Sequence, residues 1–144
     1  MAKTFPLEIF TPERLFYWGD AEMVICRTLT GEEGFMADHC WGCKLLDIGE
    51  LKFREADSKE FRLAAVSGGY IDVRDRILVF TDAAEWADEI DAARANEAMH
   101  CAEDWLAQHG IADEDPGEKA SYLQARRRAQ NRIAVAAGSA KSKR

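Results

Sequence analysis

Hydrophobic and polar positions alternate in short runs along the first part of the chain, and the period changes near Asp82. Thr4 to Phe10 puts Phe5, Leu7 and Ile9 on one face. Glu50 to Glu55 alternates Leu51 and Phe53 with charge, and Glu60 to Ser67 alternates around Phe61, Leu63 and Ala65. Gly69 to Asp75 sets Ile71 and Val73 against Tyr70, Asp72 and Arg74, whereas Arg76 to Thr81 is apolar on both faces. Such a period of two marks strands. Turn signals fall at Thr11-Pro12, Trp18-Gly19-Asp20, Thr30-Gly31 with Glu33-Gly34, Gly49, Ala56-Asp57-Ser58, Gly68-Gly69 and Asp75. Many short strands at this spacing predict an antiparallel β-sandwich or partly closed barrel. Up to Asp82 no helical stretch is long enough to serve as a crossover, which rules against a doubly wound fold.

From Ala83 to Gly110 the chain is rich in alanine and has no interior Gly or Pro, which favours a helix. Trp86, Ile90, Ala93, Ala98, Cys101 and Trp105 are expected along one face, with acids in the first turns and Gly110 as the stop. A turn then precedes a second helix, expected from about Glu118 to Ala137, with Tyr122, Ala125, Ala129, Ile133 and Ala136 as its apolar stripe. The short connection makes the helices antiparallel neighbours. The fold class is therefore α+β: an N-terminal antiparallel β-sandwich over 1–82, a C-terminal two-helix hairpin over 83–137, and a flexible basic tail over 138–144. Alanine stripes bury little area, so the hairpin is expected to be marginally docked and movable.

At 144 residues the chain can bury a real core. Its 47% hydrophobic and 31% charged residues read as globular. A formal net charge of -7 argues against nucleic acid as a partner of the whole surface. The charge is unevenly placed. Glu85, Asp88, Glu89, Asp91, Glu97, Glu103 and Asp104 face only Arg94 in the first helical stretch. Lys119, Arg126, Arg127, Arg128, Arg132, Lys141, Lys143 and Arg144 follow with no acid among them. The arginines are a counter-surface for Glu97, Glu103 and Asp104, or a switchable contact for an acidic partner. No apolar run reaches the roughly 20 residues of a membrane helix, so no direct membrane insertion is expected. Without a signal for secretion, the four cysteines read as reduced thiols.

The stretch His39-Cys40-Trp41-Gly42-Cys43 offers metal ligands and the spacing of a redox dithiol. A reactive dithiol depends on a helix N-terminus, and this one lies between a Gly-rich loop and a strand. A structural zinc site needs four ligands, and no second C-x-x-C completes one. No metal is expected, and the stretch reads as a surface loop and strand start. Thr30 to Gly34 resembles a phosphate loop only superficially, because it has two glutamates and no Walker lysine. Trp18 and Trp41 are candidate aromatic anchors on loops; taken alone, each favours a partly buried core position.

Three stretches carry a family resemblance. Leu7 to Val24 contains an extended segment followed by a Thr-Pro-Glu turn. Thr30 to His39 has the form Gly-x-x-Gly-x-x-x-x-His, and Ala64 to Asp91 contains Ser-Gly-Gly-Tyr, a strand and an acidic, alanine-rich stretch. In order and spacing these resemble the epsilon-subunit family of the F-type ATP synthase, over nearly the whole chain. Cys40-Trp41 departs from that family's usual Ala-Pro.

The resemblance implies a ten-stranded sandwich that docks on the gamma subunit and the c-subunit ring, with a Ser-Gly-Gly-aromatic turn between two strands. It implies a mobile hairpin whose basic residues meet the beta subunits of the catalytic head, which also contains alpha subunits. The subunit would have no catalytic residues. It would couple proton or sodium translocation to ATP synthesis and restrain ATP hydrolysis, peripheral on the cytoplasmic side of a bacterial cell membrane. The partner-binding residues expected are Glu32, His39, Trp41, Arg126, Arg127, Arg128 and Arg132. No cofactor is required, but Ile90 to Ala95 matches a motif that some relatives use to bind ATP. Asp91, Arg94, Arg128 and Arg132 are then candidate contacts for ATP as a weak regulatory ligand, or Asp91 and Arg94 orient the hairpin. An independent adaptor with a basic hairpin, and a small metal or redox protein resting on the cysteine pair, are the alternative functions.

Overall fold

The computed structural model describes residues 2–109 and the backbone of 116–142, with side chains described to Gly138. The expected turn after Gly110 and the residues Lys143 and Arg144 lie outside these. The chain divides into two compact units, Met1–Trp86 and Ala87–Arg144.

The first unit contains seven strands: β1 (Phe5–Phe10), β2 (Leu15–Thr28), β3 (Gly31–Met36), β4 (Gly42–Glu55), β5 (Phe61–Val73), β6 (Ile77–Thr81) and β7 (Ala84–Trp86). Their order is β1-β6-β5-β4-β2-β3, β7 pairs with β5, and an added β1–β2 pairing closes the ring. Every pairing is antiparallel, as the expected sandwich requires, except β1–β6, which is parallel. β2, β4 and β5 are long strands, and β2 and β5 change partners along their length. β2 leaves β1 after Ala21 and continues along β3, while β5 passes from β7 to β6. The ten short strands of the resemblance thus become seven continuous ones here.

Several expected turns lie inside these strands. Gly19, Gly34 and Gly49 sit within β2, β3 and β4, and Gly68-Gly69 lies in the middle of β5. Gly68 and Gly69 have φ of 91° and 122°, so the pair bends a strand instead of ending one. The turns at Thr11-Pro12, Thr30-Gly31, Asp57 and Asp75 are found where the sequence puts them. Thr11 closes its turn by donating its N–H to the Arg14 carbonyl at 2.9 Å.

The core lies inside this closed sheet. Phe5, Leu7 and Ile9, Leu51 and Phe53, and Ile71 and Val73 are buried, as their alternation predicts. In β5 the phase differs from expectation. Ala64 and Val66 join the core with Ala65 also buried, while Phe61 and Leu63 are only half-buried. Three small or apolar residues in succession leave the period ambiguous, and packing decides it.

The unit ends in a clasp. Trp86, on β7, stacks on Phe16 with ring centroids 4.3 Å apart, and the Arg62 guanidinium lies 4.0 Å over its ring. Arg62 and the Tyr17 hydroxyl both donate to Glu55 Oε1, at 3.0 and 3.1 Å. Burial, followed by the charge of Glu55, pushes the Tyr17 hydroxyl up to about 12. This clasp corrects the expected boundary at 82: residues 84–86 are strand, and the first unit runs to Trp86.

In the second unit, α1 spans Ala92–His109 and α2 spans Pro116–Ser142. Asp91 caps α1, since its Oδ1 accepts the Arg94 N–H at 3.1 Å. The late start removes acids from the first turn, contrary to expectation. It also changes the buried face. Ala95 and Ala102 are buried and Met99, Trp105, Leu106 and His109 half-buried, whereas Ala93, Ala98 and Cys101 are exposed. α2 buries Ala129 and Val135 and half-buries Tyr122, Ala125, Ile133 and Ala136, close to its predicted stripe. Its helical backbone continues through 138–142, where a flexible tail was expected.

Trp105, near the end of α1, stacks on Tyr122, near the start of α2, at 4.0 Å, so the helices run antiparallel. His109 stacks on Trp105 at 4.4 Å, and its Nδ1 lies 3.0 Å from the Trp105 carbonyl. The expected charge pairing is not what joins Arg126 or Arg128 to this hairpin. Among the described residues neither forms an ion pair with Glu97, Glu103 or Asp104. Small residues and stacked rings pack between the helices.

Candidate interaction surfaces

The outer face of the sheet carries a row of apolar side chains that register alone assembles. Leu45 pairs with Tyr70, Tyr70 with Phe80, Phe80 with Phe10, and Phe10 with Leu15. Leu29 extends the row, since its N–H donates to the Leu45 carbonyl at 3.3 Å. A register shift at Ile9/Phe10 makes this possible: Phe16 turns into the core and Leu15 outward. The rings of Phe10, Phe80 and Tyr70 stack in succession at 5.3 and 4.8 Å.

Exposure along the row is 64% at Leu29, 60% at Leu45, 40% at Tyr70 and 51% at Leu15. Isolated apolar side chains on a surface are ordinary, but a contiguous band across paired strands marks an interaction site. At one end Thr28, Leu29, Thr30, Lys44 and Leu45 line an open groove of about 290 Å³. None of these row residues was among the sequence-predicted contacts. The available signal was the stretch Arg76 to Thr81, apolar on both faces although an outward face of a closed sheet should be polar.

The predicted contacts are distributed differently. Glu32 is exposed on β3, with Lys52 Nζ 3.5 Å from its Oε1. His39 is exposed in the turn after β3, its ring 4.9 Å from Phe35 and its Nδ1 2.9 Å from the Cys40 carbonyl. Roughly 13 Å of strand separates Glu32 from Met36, whose carbonyl accepts the His39 N–H. Trp41 precedes β4 and Trp18 lies on β2, not a loop; both are strongly exposed, which corrects the expectation of partly buried tryptophans.

Cys40, Cys43 and Cys101 are exposed free thiols, and Cys26 is buried. Burial, then the charge of Glu33, pushes the Cys26 thiol up to about 12, far from a reactive thiolate. Among the described residues no group of three or more His, Cys, Asp or Glu is placed to hold a metal ion. Glu33, in the stretch that resembled a phosphate loop, accepts bonds from Lys44 and Thr30, and the Lys44 bond holds its carboxyl below the usual range.

On the hairpin, Arg127 and Arg128 are exposed, whereas Arg126 and Arg132 are half-buried. Arg126 Nε is buried without a hydrogen-bond partner. Asp91 and Arg94 share the first turn of α1, both exposed, joined through the cap. No described helix is long and apolar enough to cross a membrane.

A closed β-sandwich with an apolar outer band, followed by an alanine-packed pair of helices with cations on its surface, has the form of a subunit made to dock within a larger assembly. The family model for the ATP synthase Delta/Epsilon chain, beta-sandwich domain, matches residues 4–87. The ATP synthase epsilon chain of Alkaliphilus metalliredigens is 43% identical over 107 residues, covering 74% of this chain and 78% of the relative. That of Caldicellulosiruptor bescii is 38% identical over 133 residues, covering 92% and 93%. A chain in the Euglena gracilis mitochondrial ATP synthase OSCP/F1/c-ring structure has the same fold, with a TM-score of 0.77 at 19% identity over 91% of this chain and 80% of that one. The chain belongs to the ATP synthase epsilon-chain family, and is a stalk subunit with no catalysis of its own.

Proposed function

We propose that this subunit couples the rotor of the ATP synthase to its catalytic head and restrains ATP hydrolysis. The sandwich docks on the gamma subunit and reaches the c-subunit ring. The hairpin presents Arg126, Arg127, Arg128 and Arg132 to carboxylates of the beta subunits, within a head that also contains alpha subunits. The complex is peripheral to the cytoplasmic side of a bacterial membrane at this subunit, and proton or sodium flow drives it. The exposed row from Leu29 to Leu15 carries the docking reading, because burying it removes apolar surface from water without unfolding anything.

The restraint is tested in the assembled enzyme. Stopping the chain after Trp86 retains the clasp, whereas a stop after Ala84 removes Trp86 and confounds the result. Hydrolysis is expected to rise about threefold or more with assembly intact, a barrier change of only ~0.7 kcal/mol. Unchanged hydrolysis across ATP concentrations and proton-motive force would exclude an inhibitory hairpin.

Nucleotide regulation is the second element of the proposal. Arg94, Arg128 and Arg132 supply forks for phosphate, and Asp91 accepts a bond from the adenine amino group. Asp91 already caps α1 through one oxygen, and Glu97 and Asp104 lie on the same helix. Binding is therefore expected to be weak, with Kd on the order of 1 mM. Calorimetric titration of the full chain decides this. Heat that vanishes in Arg94→Ala and Arg128→Ala supports the site; heat that persists in both assigns the nucleotide elsewhere, and none at several Kd leaves Asp91 as a cap alone.

A further inference from the structure

A second row runs beside the apolar one on the same outer face. Cys43 pairs with Asp72, Asp72 with Leu78, Leu78 with Glu8, and Glu8 with Trp18. Glu8 thus stands between Leu78 and the most exposed large apolar residue, Trp18 at 70%. Directly paired side chains on one face have Cβ atoms about 4.5–5.5 Å apart, so Glu8 and Trp18 are cross-strand neighbours on that face.

Asp72 is matched by Arg74, whose Nε lies 3.4 Å from Asp72 Oδ1. Glu8 is half-buried, and among the described residues no hydrogen bond or ion pair is made to its carboxylate. Arg76, just before β6, forms no ion pair with Glu8. Arg14 is engaged elsewhere, its guanidinium 5.4 Å over the Phe16 ring.

In the free subunit water solvates Glu8. A partner that covers this face removes that water and leaves an ionised carboxylate among apolar groups, which is unfavourable unless a cation is supplied. We infer that the gamma subunit surface docking here brings a lysine or arginine to Glu8, and that this cation lies over the Trp18 indole. An arginine fits both neighbours: its edge donates to the carboxylate while its flat face stacks on the ring. The inference rests on the docking proposed above and adds the chemistry that the partner must present. It assigns Glu8 and Trp18 to specificity, with the apolar row supplying most of the buried area.

The test measures affinity of the full chain for purified gamma subunit as a function of salt. Glu8→Gln keeps the shape and removes the charge; it is expected to weaken binding about tenfold or more at low salt and to flatten the salt dependence. Glu8→Lys places like charges together and is expected to weaken it over about a hundredfold. Trp18→Leu keeps an apolar contact without the ring and is expected to cost roughly threefold. Melting of each variant at the wild-type temperature establishes that the sandwich is intact. If Glu8→Gln binds as wild type with the same salt slope while Leu45→Asp does not bind, the cation contact is wrong and the docking face stands. If Leu45→Asp also binds as wild type, the docking face is wrong and this inference falls with it.

Discussion

Replacing Leu45 with aspartate is expected to weaken docking on the gamma subunit about a hundredfold or more, and to release the subunit from the assembled enzyme. Leu45 is 60% exposed and sits between Leu29 and Tyr70 in the outer row. In the free chain an aspartate there stays solvated, so folding stability should change by no more than about 0.5 kcal/mol. In the docked state the same carboxylate would lose its water against apolar surface, at a cost of several kcal/mol. Every 1.4 kcal/mol is tenfold in affinity, so even about 3 kcal/mol exceeds a hundredfold. The substitution thereby separates docking from folding, which core variants do not. The measurement is binding to purified gamma subunit alongside a thermal melt. Wild-type affinity with an unchanged melt would mean that this face stays in water.

The parts of the fold legible in the sequence are those where one side of a strand meets the core and the other meets water. Phe5, Leu7 and Ile9 alternate with Pro6 and Glu8, and the structure buries the first set. Legibility fails where two physical demands overlap in one residue. Residues 83–91 have helical composition, yet Trp86 is held on β7 by Phe16, Arg62 and the pairing of Ala84–Trp86 with β5, contacts that no local propensity encodes. The helix starts only where Asp91 can cap it. The charge pattern of the two helices is plain in the sequence, but whether opposite charges meet depends on the rotation of each helix about its axis, and Arg128 faces solvent.

The docking row is a different case. It consists of residues far apart in sequence, brought side by side only by the pairing of β4, β5, β6, β1 and β2. Its only local trace is an outward-facing Phe80 and Leu78 where polar residues should stand. The hairpin cations and the cysteine pair attracted attention in the sequence because they are clustered there, while the apolar face is clustered only in space.

Gly69 shows the same principle at a single residue, and its substitution is expected to have the largest effect on folding. As half of a Gly-Gly pair it reads as a turn, but it lies inside β5, paired with Thr81 where the strand bends onto β6. Its φ of 122° disfavours any side chain, and a Cβ would stand 2.8 Å from both the Phe80 carbonyl carbon and Thr81 Cα, overlapping the Phe80 carbonyl oxygen. Neither obstacle is a flexible side-chain end; both belong to the backbone of β6, whose Ile77 and Val79 are in the core. Gly31 separates the two effects. It has φ of 128° but open space around a Cβ, so Gly31→Ala should cost only backbone strain, about 1–2 kcal/mol. Gly69→Ala adds the displacement of β6 and should cost roughly 3 kcal/mol or more. At about 4–8 °C per kcal/mol for a unit of this size, that is a fall in melting temperature of at least ~12–24 °C, against roughly 4–16 °C for Gly31→Ala. Thermal unfolding followed by near-UV circular dichroism, which reports the aromatic core of the sandwich, measures both. Equal losses in the two variants would mean that β6 yields to the added methyl freely, and that the bend in β5 requires glycine only for its backbone angles.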